Sequence, residues 1–346
     1  MEPPRLIDVY FVLLPDSLIL DWAGPAEALR IANQTLLAQG QNARFALHFV
    51  SPESTSVSSV GVALAGLAPL PDWSGAEANV GAVPERWVVL VGQPGRAMPV
   101  EPDASRAVLH WLRGLRLVSG QLELLTICAG AVLAAHAGLL AQRRATTHHQ
   151  HLDELRQAEP RCDVVANRVF VEDAPVYSSA GVTTGIDLIL HRISALCGPA
   201  LAAQVAQTMV VALRRGPLDP ELSPFLAYRN HMHPALHRVQ DAVSQAPQSE
   251  WSVPGMADVA CTSPRHLTRL FLEYAGIAPL QYLRRIRLAR AEAALQSGHN
   301  VTQAAAIAGF SSDTQLRRAW HQFAVTGTPS GTPTDRALKP YPLSNK

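Results

Sequence analysis

The sequence is short of cysteine pairs, of charge and of long apolar runs, and each shortage closes off a class of protein. Its four cysteines stand at 128, 162, 197 and 261, with no Cys-x-x-Cys pair and no histidine partner at zinc-finger spacing. They read as free thiols of a reducing compartment, so neither a disulfide framework nor a zinc module is expected. Charged residues make up only 16% of the 346 and the formal net charge is +1, so any surface for nucleic acid has to be local. The most apolar stretch, around Cys128 to Ala141, is interrupted by His136 and falls short of the ~18 residues that a bilayer span needs. A basic-then-apolar leader is also missing, since Glu2, Arg5 and Asp8 precede a short apolar run broken by Pro15 and Asp16. The expectation is a cytoplasmic protein with no membrane partner.

What is present reads as two halves. "LIDVYFVLL", "RFALHFVS", "RWVVLVG" and "LELLTIC" are apolar or β-branched throughout and bounded by turn residues, as strands buried on both faces are. Between them, "AGPAEALRIANQTLLAQG" and "SRAVLHWLRGL" repeat apolar residues at helical spacing. Strands alternating with helices predict an α/β domain, residues 1–214, with a parallel sheet covered on both faces. Ligands of such sheets sit beyond the carboxyl ends of the strands, where Asp21, Gly92 and Cys128 fall. Residues 215–234, rich in proline, read as a linker. "HMHPALH" (His231, His233, His237) offers histidines two apart beside a helix-starting proline, which do not share a helix face, so the stretch reads as solvated linker and not as a metal site.

The C-terminal part, 235–335, is helical and basic. Cys261 to Trp320 holds eight arginines against three acidic residues. It also repeats itself: Leu267, Arg269 and Phe271 recur as Leu316, Arg318 and Trp320, 49 residues later. Each copy is a short helix, a tight turn and a serine, Ser263 or Ser312, placed to cap a second helix. Two helix-turn-helix units follow, and the second helix of such a unit enters the major groove of DNA. The residues facing DNA would be Pro264, Arg265, His266, Thr268 and Arg269 in the first copy. In the second they would be Ser312, Asp313, Thr314, Gln315, Arg317 and Arg318. Arginine suits guanine, glutamine suits adenine, and further arginine, serine and threonine suit phosphate. The connecting helix from Pro279 to about Ser297 spans roughly 28 Å, close to one ~34 Å turn of DNA. With "ADVACTSPRHLTRLF", "GIAPLQYLRRIRLARAEAAL" and "AGFSSDTQLRRAW" in order, this part resembles the AraC/XylS family DNA-binding domain. Near its end "SGTPTDRALKP" departs from that family's pattern.

Cys128 stands where a strand gives way to the helix beginning "AGAVLAAHAG". A helix N-terminus there favours a thiolate, and backbone N–H groups can hold an oxyanion or a ligand carboxylate. Nucleophilic chemistry also needs a base, and the next residue is Ala129 and not histidine; His148, or failing it His149, is the nearest candidate, with Asp21 as the acid. The residues alone leave open a small buried cysteine, a catalytic one in an amidase or hydrolase, and a redox sensor acting through sulfenic acid.

"LILDWAGPAEALR", "LLTICAGAVLAAHAGLL", "ATTHHQHLDEL" and "SSAGVTTGIDLIL" resemble, in order, the class I glutamine amidotransferase-like family that includes the PfpI proteases, over residues 5 to 213. That resemblance implies a flavodoxin-like parallel sheet sandwiched by helices. It matches Cys128 to the elbow cysteine, Asp21 to its acidic partner, Gly92 to the oxyanion loop and His148 to the pocket histidine. Ala129 and "VGQPG" depart from the protease branch and argue against catalysis. The two domains together resemble the GlxA-type transcriptional regulators of bacteria. The implied partners are promoter DNA, a small effector of the amino acid or amine kind, a second copy of the chain and RNA polymerase, and the implied role is a non-enzymatic activator. Asp21, Gly92, Cys128, Ala129 and His148 are the expected ligand contacts, with neither cofactor nor metal expected.

Overall fold

The computed structural model describes residues 6–73, 85–211, 215–217, 219–296, 298–323 and 329. The expected domain ends at 214 and 335 and the departure at 330–340 lie outside them. In chain order the first part carries β1 (Ile7–Val12), α1 (Ile19–Ala38), β2 (Phe45–Val50), a hairpin of β3 (Thr55–Val57) and β4 (Ala63–Ala65), β5 (Glu85–Leu90), α2 (Asp103–Arg113), β6 (Leu122–Ile127) and α3 (Gly130–His136). It continues with β7 (Arg144–Ala145), α4 (Leu152–Ala158), β8 (Asp163–Val164), β9 (Phe170–Asp173), β10 (Val176–Ser179), α5 (Thr184–Cys197) and α6 (Pro199–Thr208).

Six strands form one sheet in the order β2-β1-β5-β6-β10-β9. All pairs are parallel except β10 with β9, which closes the edge antiparallel. Alternation along each strand feeds two cores. Trp87 and Val89 point to the side that also buries Leu29, Ile189 and Val205, while Val88 and Leu90 point to the side that buries Val108, Leu112 and Val132. This two-sided burial explains why the strands read as unbroken apolar runs. The four strands expected from sequence are four neighbours in the sheet, and β9 and β10 extend it. α1 begins at Ile19, earlier than the expected Ala23, with Pro25 inside it, so Asp21 lies in a helical first turn and not in a loop.

The second part holds α7 (Pro224–Ala227), α8 (Pro234–Gln245), α9 (Val253–Val259), α10 (Pro264–Leu270), a π-helical turn at Phe271–Ala275, α11 (Pro279–Gln296), α12 (Val301–Ala308) and α13 (Asp313–Gln322). It has two cores joined by one helix: α11 gives Tyr282, Leu283 and Ile286 to the first, and Leu288, Ala291 and Ala294 to the second.

The chain divides into the units 1–221 and 222–346. The segment expected as a linker is shared between them. Arg215 bonds the buried Asp187 carboxylate at 2.6 and 2.9 Å, and the Asp219 carbonyl accepts from the Val169 N–H at 3.0 Å, within the first unit. Tyr228 is buried in the second, where its carbonyl accepts from Gln240. The histidines of "HMHPALH" are not solvated as expected. Their rings are half-buried, with His231 4.6 Å from His237 and His233 5.1 Å from Tyr274, because α8 starts at Pro234 and folds His237 back to the His231 carbonyl.

Candidate functional site

β6 ends at Ile127 and α3 starts at Gly130, which leaves two residues for the reversal. Cys128 takes the bend at φ +56°, a left-handed conformation costly for a residue with a Cβ. The bend is pinned on both sides: the Cys128 N–H donates to the Ser179 carbonyl at 3.1 Å, and its carbonyl accepts from the Thr147 hydroxyl at 2.8 Å. Gly181, at φ +95°, passes so close that a Cβ there would lie 2.3 Å from the Cys128 Cβ. Gly92 is nearly as tight, since its Cβ would lie 3.0 Å from the Cys128 Cβ and 3.1 Å from Asp21 Oδ2.

Asp21 organises this cluster. Its carboxylate is fully buried, accepts the Gly92 N–H at 3.0 Å and the Val182 N–H at 2.7 Å, and bonds the Cys128 thiol. Val182, a β-branched residue at φ +53°, is held in an unfavourable conformation by that bond. Burial pushes the Asp21 pKa up to about 6, against the opposing pull of the two N–H donors. The thiol responds in the same direction: burial first, then the charge of Asp21, push the Cys128 pKa far above the ordinary thiol range, and the Ala129 N–H offsets only part of this. The helix N-terminus that was expected to favour a thiolate is thus outweighed, and at neutral pH the sulfur is a protonated donor beside a carboxyl group. An amidase or hydrolase needs the opposite state.

The geometry therefore brings Asp21, Gly92, Cys128 and Ala129 into one cluster. His148 lies one residue beyond Thr147, and its ring contacts are with its neighbours, His149 at 4.1 Å and His151 at 6.2 Å. Burial, followed by the proximity of these two imidazoles, lowers its pKa to about 4, so the ring is neutral at pH 7. His149 donates its backbone N–H to Glu221 Oε1 at 3.0 Å, and its Nδ1 lies 2.8 Å from the same oxygen. Sequence reasoning missed Thr147, Gly181, Val182 and Glu221. Gly181 and Val182 stand inside the quoted "SSAGVTTGIDLIL" and could have been found there; Glu221, in the expected linker, carried no signal.

In the second unit the two reading helices are built alike. Ser263 Oγ accepts the His266 N–H at 3.3 Å and Ser312 Oγ the Gln315 N–H at 3.2 Å, as caps do. Leu267, Phe271, Leu316 and Trp320 are buried, so the opposite faces are turned outward. Arg265, Arg269, Ser312, Thr314, Gln315, Arg317 and Arg318 are exposed, and His266, Thr268 and Asp313 are half-buried. Several of these side chains already have intramolecular partners. Thr268 bonds the Pro264 carbonyl, Arg269 bonds His266 Nδ1, Asp313 accepts from Thr302, and Gln315 Oε1 accepts the Ser311 N–H at 2.8 Å. A glutamine reading adenine uses both ends of its amide, so Gln315 has to release its cap to do so. The arginines of α11 divide as well: Arg287 bonds the Pro247 and Ser249 carbonyls and Arg285 the Phe323 carbonyl, whereas Arg284 and Arg290 are exposed.

Residues 9–195 match the DJ-1/PfpI family, and residues 256–329 match a helix-turn-helix domain. Among curated proteins the chain is 28% identical to the HTH-type transcriptional regulator CdhR of Pseudomonas aeruginosa, covering 96% of this chain and 92% of that protein. It is 29% identical to the HTH-type transcriptional regulator GlxA of Rhizobium meliloti, covering 90% of each. Among solved structures, an AraC family transcriptional regulator from Pseudomonas putida is 18% identical with a TM-score of 0.47, over 59% of this chain and 99% of that one. The chain belongs to the DJ-1/PfpI family and carries, behind that fold, a helix-turn-helix domain of the AraC type.

Proposed function

We propose that the protein is a sequence-specific DNA-binding transcriptional regulator whose first unit binds a small polar effector. The observation that carries the reading is the duplicated helix-turn-helix, with both second helices capped and packed through Leu and an aromatic residue while Arg265, Arg269, Arg317 and Arg318 face outward. Eight arginines against three acids in that segment, within a chain of net charge +1, favour a polyanion as partner. Relatives aligned over nine-tenths of both chains carry the name of HTH-type transcriptional regulators, which supports the same role.

The effector site in this reading is the rim around Asp21, Gly92, Cys128, Ala129 and His148. Asp21 and the Cys128 thiol there supply an acid and a weak donor in place of a nucleophile, which suits recognition better than turnover. An effector of the amino acid or amine kind, a homodimer, contact with RNA polymerase and activation of transcription complete the reading. No helix among the described residues is long and apolar enough to cross a membrane. Regulation requires the effector to favour one arrangement of the protein over another.

The test is a fluorescence-anisotropy titration of the full chain against its own upstream DNA, at two salt concentrations, with and without pools of amino acids and amines. Tight, salt-sensitive binding that a metabolite shifts is the expected result. Affinity no better than for random DNA under every condition refutes the regulator. A separate alkylation experiment addresses the sulfur: with iodoacetamide near neutral pH the exposed Cys261 reacts first and the buried Cys128 last. Preferential labelling of Cys128 reopens the hydrolase.

A further inference from the structure

Where the first unit ends, two histidines and a glutamate converge. Glu221 is its last residue, yet the carboxylate is packed away with 6% of the side chain exposed. Oε1 takes both bonds from His149, while Oε2 is buried without a partner. A buried acceptor left unmatched costs roughly 1–3 kcal/mol, more when charged, and a protein that keeps one commonly fills it with something else. The His148 ring lies 4.1 Å from that of His149, tilted by 37°, and one donor atom from each of the three residues lies within 4.8 Å of the others.

We propose that His148, His149 and Glu221 bind a divalent transition-metal ion of the zinc class. Two imidazoles and one carboxylate are the donors that zinc, cobalt and nickel prefer, while magnesium and calcium ask for oxygen alone. Metal bonds of ~2.0–2.2 Å set neighbouring donors about 3.4 Å apart, so closure around an ion requires shifts of about an ångström, which fall on the histidine rings because the Glu221 side chain is packed in place. Three protein ligands leave a further coordination position open to water or to an anionic or amine ligand. Glu221 is the last residue of the first unit, so an ion here ties the end of that unit's chain to the loop of His148 and His149 within the same unit. Nothing in the order of residues points to a metal, because the carboxylate stands 72 positions from His149.

The inference stands apart from the regulator reading, since its readout is metal stoichiometry and not DNA affinity. Full-length protein stripped with chelator is titrated calorimetrically with Zn2+, and Co2+ is bound in parallel for its visible absorption. The expected result is one Zn2+ per chain and a tetrahedral or five-coordinate cobalt spectrum. Glu221→Ala and His149→Ala should each weaken binding by at least ~10-fold. His233→Ala, in the separate cluster where His231 Nε2 and His233 Nδ1 are themselves buried without partners, should leave it unchanged. No saturable binding overturns the proposal, as does binding lost in His233→Ala but kept in Glu221→Ala. If circular dichroism shows Glu221→Ala to be unfolded, His148→Ala decides between the same outcomes.

Discussion

The two units solve opposite problems with their polar residues. Beside Cys128 the acid is buried and satisfied from within: Asp21, with no exposed surface, closes on backbone N–H groups 71 and 161 positions away. On α10 and α13 the arginines are exposed, and their placement is set by buried neighbours, Leu267 with Phe271 and Leu316 with Trp320. The first arrangement fixes charge and protonation state but leaves little tolerance for substitution. The second leaves the outward side chains free to vary while the frame stays put, as suits a surface whose specificity is read from side chains alone.

The largest expected effect follows from removing the acid at the buried site. Asp21→Ala leaves the Gly92 and Val182 N–H groups without an acceptor and should cost roughly 2–5 kcal/mol, read from urea unfolding. A loss below about 0.5 kcal/mol, the size typical of surface changes, breaks the contrast between the units.

The next tests protonation. Folding raises the Asp21 pKa to about 6 from its ordinary 3.8, so the folded chain holds this proton more tightly than the unfolded one. The stabilisation is fully present below about pH 4 and disappears as pH climbs through about 6, a change of roughly 3 kcal/mol. The difference in stability between wild type and Asp21→Asn should fall across that window, and a flat difference removes the buried, protonatable acid from the account.

On the exposed side, Arg265→Ala or Arg317→Ala should weaken operator binding by about 1–3 kcal/mol if the side chain reads a base. If it holds a phosphate, the loss is similar across sequences and the salt slope drops by about one. In either case effector affinity should stay unchanged, and equal loss of both would contradict the division between units. The smallest effect belongs to the caps: Ser312→Ala should cost ~1 kcal/mol in unfolding. Gln315→Ala should cost a few tenths in stability while lowering DNA affinity more, provided the amide leaves the Ser311 N–H to reach a base.

How legible the molecule was in its sequence follows the same division. The helix-turn-helix copies were readable because capping serines, buried leucines and outward arginines all lie within about ten residues of one another, at a period that the helix itself dictates. The alternation of strands and helices was readable for the same reason, and it placed Asp21, Gly92 and Cys128 together. The short antiparallel edge formed by β9 was not, because four residues carry too little periodicity. The histidines of "HMHPALH" were misread because Tyr274, which packs against them, lies some forty positions on and only the fold returns it.

By itself the sequence determined the alternation of the first strands and helices, the two helix-turn-helix copies and where the basic faces fall, since these depend on interactions over a few residues. Only the tertiary structure decided that the Cys128 thiol stays protonated. Its state is set by burial and by the charge of Asp21, 107 positions away. Only the tertiary structure, too, brought Glu221 to His148 and His149. Electrostatic and desolvation energies depend on distance in space, which the order of residues along the chain does not contain.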